Sequence, residues 1–163
     1  MKKIILIRHG KSAWNNPFLA DHDRPLAERG LRDAPKMAKR LKKKNLIPDL
    51  ILSSTATRAF HTAQLTQEVL EISPKCLNPV EDLYHSSPNT ILKYLRMQND
   101  HHHLIFVVGH NPGMNDLIEE LGGNLDNLPT SGQFGFKFHT DSWKDIDAKN
   151  AEVWFVDYPK KKA

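Results

Sequence analysis

Two short, uninterrupted apolar runs constrain this chain more than any other feature. Lys3-Ile4-Ile5-Leu6-Ile7 and Leu104-Ile105-Phe106-Val107-Val108 are rich in β-branched side chains and show no polar alternation. Strands of this kind are buried on both faces, which requires helices packed above and below a parallel sheet. Asp49-Leu50-Ile51-Leu52-Ser53 has the same character. Between these runs the apolar residues take up helical spacing. Leu31, Ala34, Ala38 and Leu41 predict a helix over about 27–44, in which Pro35 implies a kink or a later start. Ala59, Thr62, Ala63, Thr66, Val69 and Leu70 share one face of a helix over 55–71. Ile91, Leu92 and Leu95 mark a third near 88–97. Met114, Leu117, Ile118 and Leu121 mark a fourth, stopped by Gly122-Gly123. Residues 12–26 read as a loop, 77–83 as a short extended piece, and 133–138 and 152–158 as two more strands. Strands alternating with helices predict an α/β fold: a three-layer sandwich with a mostly parallel central sheet, formed by a single domain over 1–163.

Composition narrows the setting. The 163 residues are 39% hydrophobic and 26% charged, ordinary values for a globular protein rather than a disordered one. No apolar run approaches the roughly 18 residues that cross a bilayer, and only four apolar residues separate Lys3 from Arg8, too few for a signal-peptide core. With Cys76 as its one cysteine the chain forms no internal disulfide, so a cytoplasmic setting is expected. The net charge of +4 owes much to Lys42-Lys43-Lys44 and Lys160-Lys161-Lys162. The first falls at an expected helix C-terminus, where cations complement the dipole, and the second reads as a frayed tail. Neither is interleaved with aromatics, so neither nucleic acid nor membrane is expected as a partner. His101-His102-His103 lacks the cysteines or paired carboxylates that complete a metal shell and reads as a polar turn, so no metal site is expected.

The chemistry sits where the apolar runs stop. The first runs into Arg8-His9-Gly10 and the last into Gly109-His110-Asn111. Ligands of open parallel sheets bind beyond the carboxyl ends of the strands, so both histidines fall where a site belongs. The run ending at Ser53-Ser54 continues into Thr55-Ala56-Thr57-Arg58 and delivers another cation to the same edge. Two imidazoles and two guanidiniums converging on one edge suit a phosphoryl group. Arginine offers forked donors that match phosphate geometry, neutral imidazole can attack phosphorus, and a second histidine can donate to developing charge.

Arg8-His9-Gly10-Lys11-Ser12, Ser53-Ser54 through Arg58-Ala59 with Thr62-Ala63, and Val108-Gly109-His110-Asn111 resemble the three motif blocks of the histidine phosphatase (phosphoglycerate mutase-like) superfamily. Asp21-His22-Asp23-Arg24-Pro25-Leu26 and Glu28-Arg29-Gly30 are similar to the SixA-type phosphohistidine phosphatases within it. The resemblance covers residues 3–121, and the rest matches in general character. It implies a phosphoglycerate mutase-like fold and a cofactor-independent phosphatase working through a covalent phosphohistidine. His9 would attack phosphorus, Arg8 and Arg58 would hold the phosphoryl oxygens, and His110 would complete the pocket. Arg24 and Ser12 would line it, although a salt bridge that orders the loop serves equally as the role of Arg24. Asn15 sits where related mutases contact substrate.

Glu81 stands at a point comparable to the proton-donating carboxylic acid of many superfamily members. SixA-type enzymes manage without one, since imidazole leaves more readily than an alkoxide. The expected substrate is phosphohistidine in protein. The alternatives are a small phosphomonoester, or a non-catalytic module that only binds phosphoprotein.

Overall fold

The computed structural model describes residues 1–162. Six strands form one sheet: β1 (Lys2–Arg8), β2 (Leu50–Ser54), β3 (Leu77–Val80), β4 (Leu104–Gly109), β5 (Gln133–Phe138) and β6 (Ala151–Asp157), in the order β3-β2-β4-β1-β5-β6. The first four pair in parallel, as their connecting helices require, whereas β5 and β6 add antiparallel at one edge. The sheet is mostly parallel and the fold is α/β, with four helices: α1 (Glu28–Lys43), α2 (Thr57–Leu70), α3 (Pro88–Arg96) and α4 (Gly113–Glu120).

The alternating side chains of each strand feed two separate cores. Ile4, Leu6, Leu52 and Val107 pack with residues of α3 and α4 and with Trp143, while Ile5, Ile7, Ile51 and Phe106 pack with α1 and α2. That is why the strands read as continuous apolar runs: both of their faces are covered. Pro35 is accommodated inside α1, which begins at Glu28 rather than after the proline. Arg40, Lys42 and Lys43 occupy the last turn of α1, complementing its dipole. Beyond α4, Gly122 takes φ +97°, a region side chains rarely enter, and Gly123 N–H donates to Ile118 O, closing the helix.

The histidine tract precedes β4 as a turn whose backbone is used. His102 O accepts from Trp143 Nε1 at 2.9 Å and from the buried Lys2 Nζ at 2.8 Å. The C-terminal segment departs from the expected frayed tail. Arg40 donates to Asp157 Oδ1, Tyr158 O and Pro159 O, Lys36 Nζ donates to Pro159 O, and Lys161 Nζ reaches back to Val156 O. A strap of backbone carbonyls is thereby tied to α1. No helix among the described residues is long and apolar enough to cross a membrane.

Candidate active site

The β1–β4 register pairs Ile7 with Val108 and Arg8 with Gly109, which sets two histidine-bearing strand ends side by side. His9 N–H donates to Gly109 O at 3.1 Å, and the His9 and His110 rings lie 5.0 Å apart between centroids. Both residues are buried. Thr62 on α2 locks the turn after β1: its hydroxyl accepts from Gly10 N–H at 3.0 Å and donates to Arg58 O at 2.8 Å. Arg58, on the first turn of α2, is buried at the same edge. The four residues expected to converge do so.

His9 Nδ1 lies 2.7 Å from Gly10 O. A carbonyl can only accept, so Nδ1 carries the hydrogen and Nε2 presents its lone pair. Burial, followed by the Arg58, Arg8 and Arg24 cations, lowers the His9 pKa to about 4 despite that hydrogen bond. Burial and the neighbouring His9 and Arg58 lower His110 to about 3. Both rings are therefore neutral at physiological pH. His110 Nε2 sits 2.8 Å from Ser54 Oγ, whose oxygen accepts from Ala56 N–H. His110 Nδ1 is buried without a partner, and so are Arg8 Nε and Ser131 Oγ. Buried polar atoms are almost always satisfied, so orphans on Arg8 and His110, which stand at two adjacent strand ends, and on Ser131, which is tied to the first of them, are what a ligand would satisfy. Ser131 belongs to this group because its N–H donates to the carbonyls of Arg8 and His9, which holds it in a left-handed backbone conformation (φ 63°).

Asp21 is the hub of the other wall, and sequence reasoning did not single it out. Its backbone carbonyl accepts from Arg58 at 2.7 Å, and Oδ2 accepts from Arg58 at 3.0 Å and from Tyr84 Oη at 2.5 Å. Oδ1 accepts from Arg24 at 2.9 Å. Tyr84, Arg58 and Arg24 together hold this carboxylate far below the usual carboxylate range. His85 Nε2 lies 3.6 Å from Oδ2, and its ring centroid lies 3.9 Å from that of Tyr84 and 5.9 Å from that of His110, tilted against both. His85 takes a left-handed conformation (φ 55°) and lines a cleft of about 230 Å³ together with His110. Gly113 makes this approach possible, because a Cβ there would fall 1.9 Å from Ser86 O.

The remaining expectations divide. Arg24 spends its guanidinium inside the loop, on Asp21, Ser12 Oγ and Ala13 O, and stacks 3.0 Å from the Trp14 ring. This is the loop-ordering role, and Ser12 serves it as the hydroxyl partner. Asn15 is exposed, with no side-chain hydrogen bond among the described residues. Glu81 is exposed at the start of a 3-10 turn (Glu81–Leu83), its side chain forms no hydrogen bond or ion pair among the described residues, and it does not line the cleft. Tyr84, His85 and Ser131 were missed because only tertiary contacts bring them in. The single local signal is that Tyr84 and His85 directly follow the turn that carried the expected acid.

Comparison with known proteins agrees with this geometry. Residues 4–83 match the model of the histidine phosphatase superfamily (branch 1). An uncharacterised protein of Mycobacterium tuberculosis is 37% identical over 152 residues, which cover 86% of this chain and 92% of that one. A SixA protein of Agrobacterium tumefaciens, described provisionally as a phosphohistidine phosphatase, superposes with a TM-score of 0.81 at 28% identity over 97% of this chain and 99% of that one. The protein histidine phosphatase SixA complexed with tungstate gives the same TM-score at 22% identity, over 96% and 97% of the two chains. The motif blocks, the strand order and these likenesses meet in one assignment: the chain belongs to the histidine phosphatase superfamily, as a SixA-type member.

Proposed function

We propose that this protein is a phosphohistidine phosphatase that hydrolyses its substrate through a covalent intermediate on His9, without a metal ion or other cofactor. The observation that carries this reading is the set of buried, unpartnered donors (Arg8 Nε, His110 Nδ1 and Ser131 Oγ) beside an imidazole whose Nε2 lone pair is fixed by its own backbone. A phosphoryl group offers three oxygens to those donors and an electrophilic phosphorus to Nε2. In the tautomer in which Ser54 donates to His110 Nε2, Nδ1–H is a second neutral donor for the charge that builds on the equatorial oxygens. Arg8 and Arg58 supply the positive charge that a metal ion supplies elsewhere.

In the first step Nε2 bonds to phosphorus as the bond to the leaving group breaks. In the second, water attacks the same phosphorus, releasing inorganic phosphate and restoring His9. Wild-type protein in excess chelator is expected to hydrolyse phosphohistidine peptides and aryl phosphates with undiminished kcat/KM, and phosphoserine peptides and sugar phosphates far more slowly. Activity abolished by chelation and restored by a divalent ion would overturn the mechanism. Faster turnover of sugar phosphates would assign a small-molecule phosphomonoesterase. Binding of phosphopeptide without turnover would assign a non-catalytic module.

Leaving groups that need a proton make a further demand. Glu81 stands apart from the cleft, and the ionisable side chains facing His110 from this wall are His85 and Tyr84. Of the two, His85 lines the cleft with His110, whereas Tyr84 spends its hydroxyl hydrogen on Asp21 Oδ2, which leaves the imidazole as the available donor. His85→Gln is expected to lower kcat/KM on alkyl phosphates about 10²-fold, the usual scale of general-acid assistance. The same substitution should change aryl phosphate and phosphohistidine hydrolysis only slightly, and Glu81→Gln should affect none of the three. An alkyl-specific loss in Glu81→Gln instead of His85→Gln would reverse the assignment.

A further inference from the structure

A groove of about 880 Å³ is lined by Arg8, Lys11, Arg29, Arg32, Lys36 and Lys160, and it shares none of its lining with the cleft beside His85 and His110. Asp33 is the only carboxylate in the lining, and it is buried beside Arg32 Nε at 3.5 Å. These cations come from three parts of the chain: the end of β1 with the turn after it, α1, and the C-terminal strap held by Arg40 and Lys36. The strap is what turns an exposed helix face into a groove. Arg8 joins the two sites, since it precedes His9 and donates to Leu128 O at 2.9 Å in the segment that continues into the groove wall at Pro129 and Thr130. Nothing in the phosphoryl chemistry uses the other five cations.

From this groove we infer that the protein recognises an acidic stretch of the phosphorylated protein substrate, flanking the residue that carries the phosphoryl group. The inference deepens the phosphohistidine reading and rests on it. Arg29, Arg32 and Lys36 lie at i, i+3 and i+7 on one face of α1, so they spread over roughly 10 Å along the helix. A second phosphate in a compact ligand would need donors converging on one point. Cations in a row instead match carboxylates on alternate residues of an extended chain, which recur every ~7 Å. Pro129, Tyr158 and Pro159 supply apolar surface against which a peptide backbone can lie. Arg29, Arg32 and Lys160 keep their heads in solvent, as steering charges do.

The test uses the full chain and the triple variant R29Q/R32Q/K36Q, none of whose residues belongs to the phosphoryl pocket. Hydrolysis of para-nitrophenyl phosphate, which is too small to reach the groove, is expected to stay within about twofold of wild type and reports an intact fold. Two phosphohistidine peptides are compared, one with Asp and Glu flanks and one with Ser and Gln flanks. Wild type is expected to favour the acidic peptide about tenfold at low ionic strength, with the preference fading as salt is raised and disappearing in the triple variant. Equal kcat/KM for both peptides in wild type would overturn the proposal.

Binding of a fluorescein-labelled, unphosphorylated acidic peptide, read by anisotropy, separates this proposal from the reading beneath it. If neither phosphohistidine peptide is turned over but the acidic peptide binds wild type and not the triple variant, the phosphohistidine reading fails and the groove assignment stands. If the labelled peptide does not bind, the groove assignment fails whatever the substrate. Tripolyphosphate that binds wild type, and is lost in the triple variant, while the labelled peptide does not bind would assign a small polyanion instead.

Discussion

Replacing His9 with Ala is expected to lower kcat/KM by about 10⁴-fold or more on every substrate, because on the proposed mechanism it removes the atom that bonds to phosphorus. Wild-type protein quenched during turnover should carry phosphate on His9 through a bond that survives alkali and breaks in acid, the reverse of a phosphoserine. Phosphate mapped to another residue, or activity surviving in His9→Ala, would remove His9 from the chemistry. Vanadate or phosphate should still bind the variant, since Arg8, Arg58 and His110 remain to hold an oxyanion.

The pH profile follows from the same residue. Attack needs the neutral ring, and burial together with three nearby arginines makes the imidazolium unfavourable, so His9 stays neutral down to about pH 4. Once the substrate's own ionisation is corrected for, the acid limb of kcat/KM should fall near pH 4, well below the pH 6.5 of an unperturbed histidine. A limb near 6.5 would mean that His9 is far more solvated than the structure has it.

How much of this was legible in the sequence depends on whether a residue's place is set locally or by tertiary contact. The strand ends carried most of the information. A doubly buried strand must be continuously apolar, so the first polar residue after it marks the sheet edge, and Arg8, His9 and His110 stand at those positions. Arg58 followed by the same logic, one turn into the helix after β2. Asp21 was not legible as a hub, because its partners Arg58 and Tyr84 lie 37 and 63 residues away in sequence. The orphaned hydroxyl of Ser131 depends on a backbone turn locked by two carbonyls of β1 and its following residue. Glu81 illustrates the opposite failure. A carboxylate in an acidic turn suits a proton donor, but the 3-10 turn and the left-handed backbone at His85 bring the imidazole four residues later to the cleft. The strap just before the C-terminal lysines was not legible, because the grip on Tyr158 O and Pro159 O comes from Arg40 and Lys36, more than a hundred residues earlier.

Arg58→Ala is expected to cost about 10²–10³-fold in kcat, the usual consequence of deleting one preorganised donor from an oxyanion site. Arg58→Lys should recover little of it. Asp21 engages both terminal nitrogens of the guanidinium, one through its backbone carbonyl at 2.7 Å and one through Oδ2 at 3.0 Å, and an ammonium cannot satisfy two such acceptors while reaching a third. On the proposed mechanism Asp21 is therefore expected to act as a positioning residue, holding the fork so that its remaining N–H groups can meet the phosphoryl oxygens. Asp21→Asn keeps the carbonyl contact and weakens the charged one, so a smaller loss of about tenfold is expected, in kcat rather than KM. The two effects should not add. Once Arg58 is gone, Asp21 has no fork to position, and the double variant D21N/R58A should be no slower than Arg58→Ala alone. Full additivity in that cycle would show that Asp21 acts by another route, through Tyr84 or His85. That outcome is separable in turn, because the His85 route predicts a loss confined to alkyl phosphates, whereas the Arg58 route slows every substrate alike.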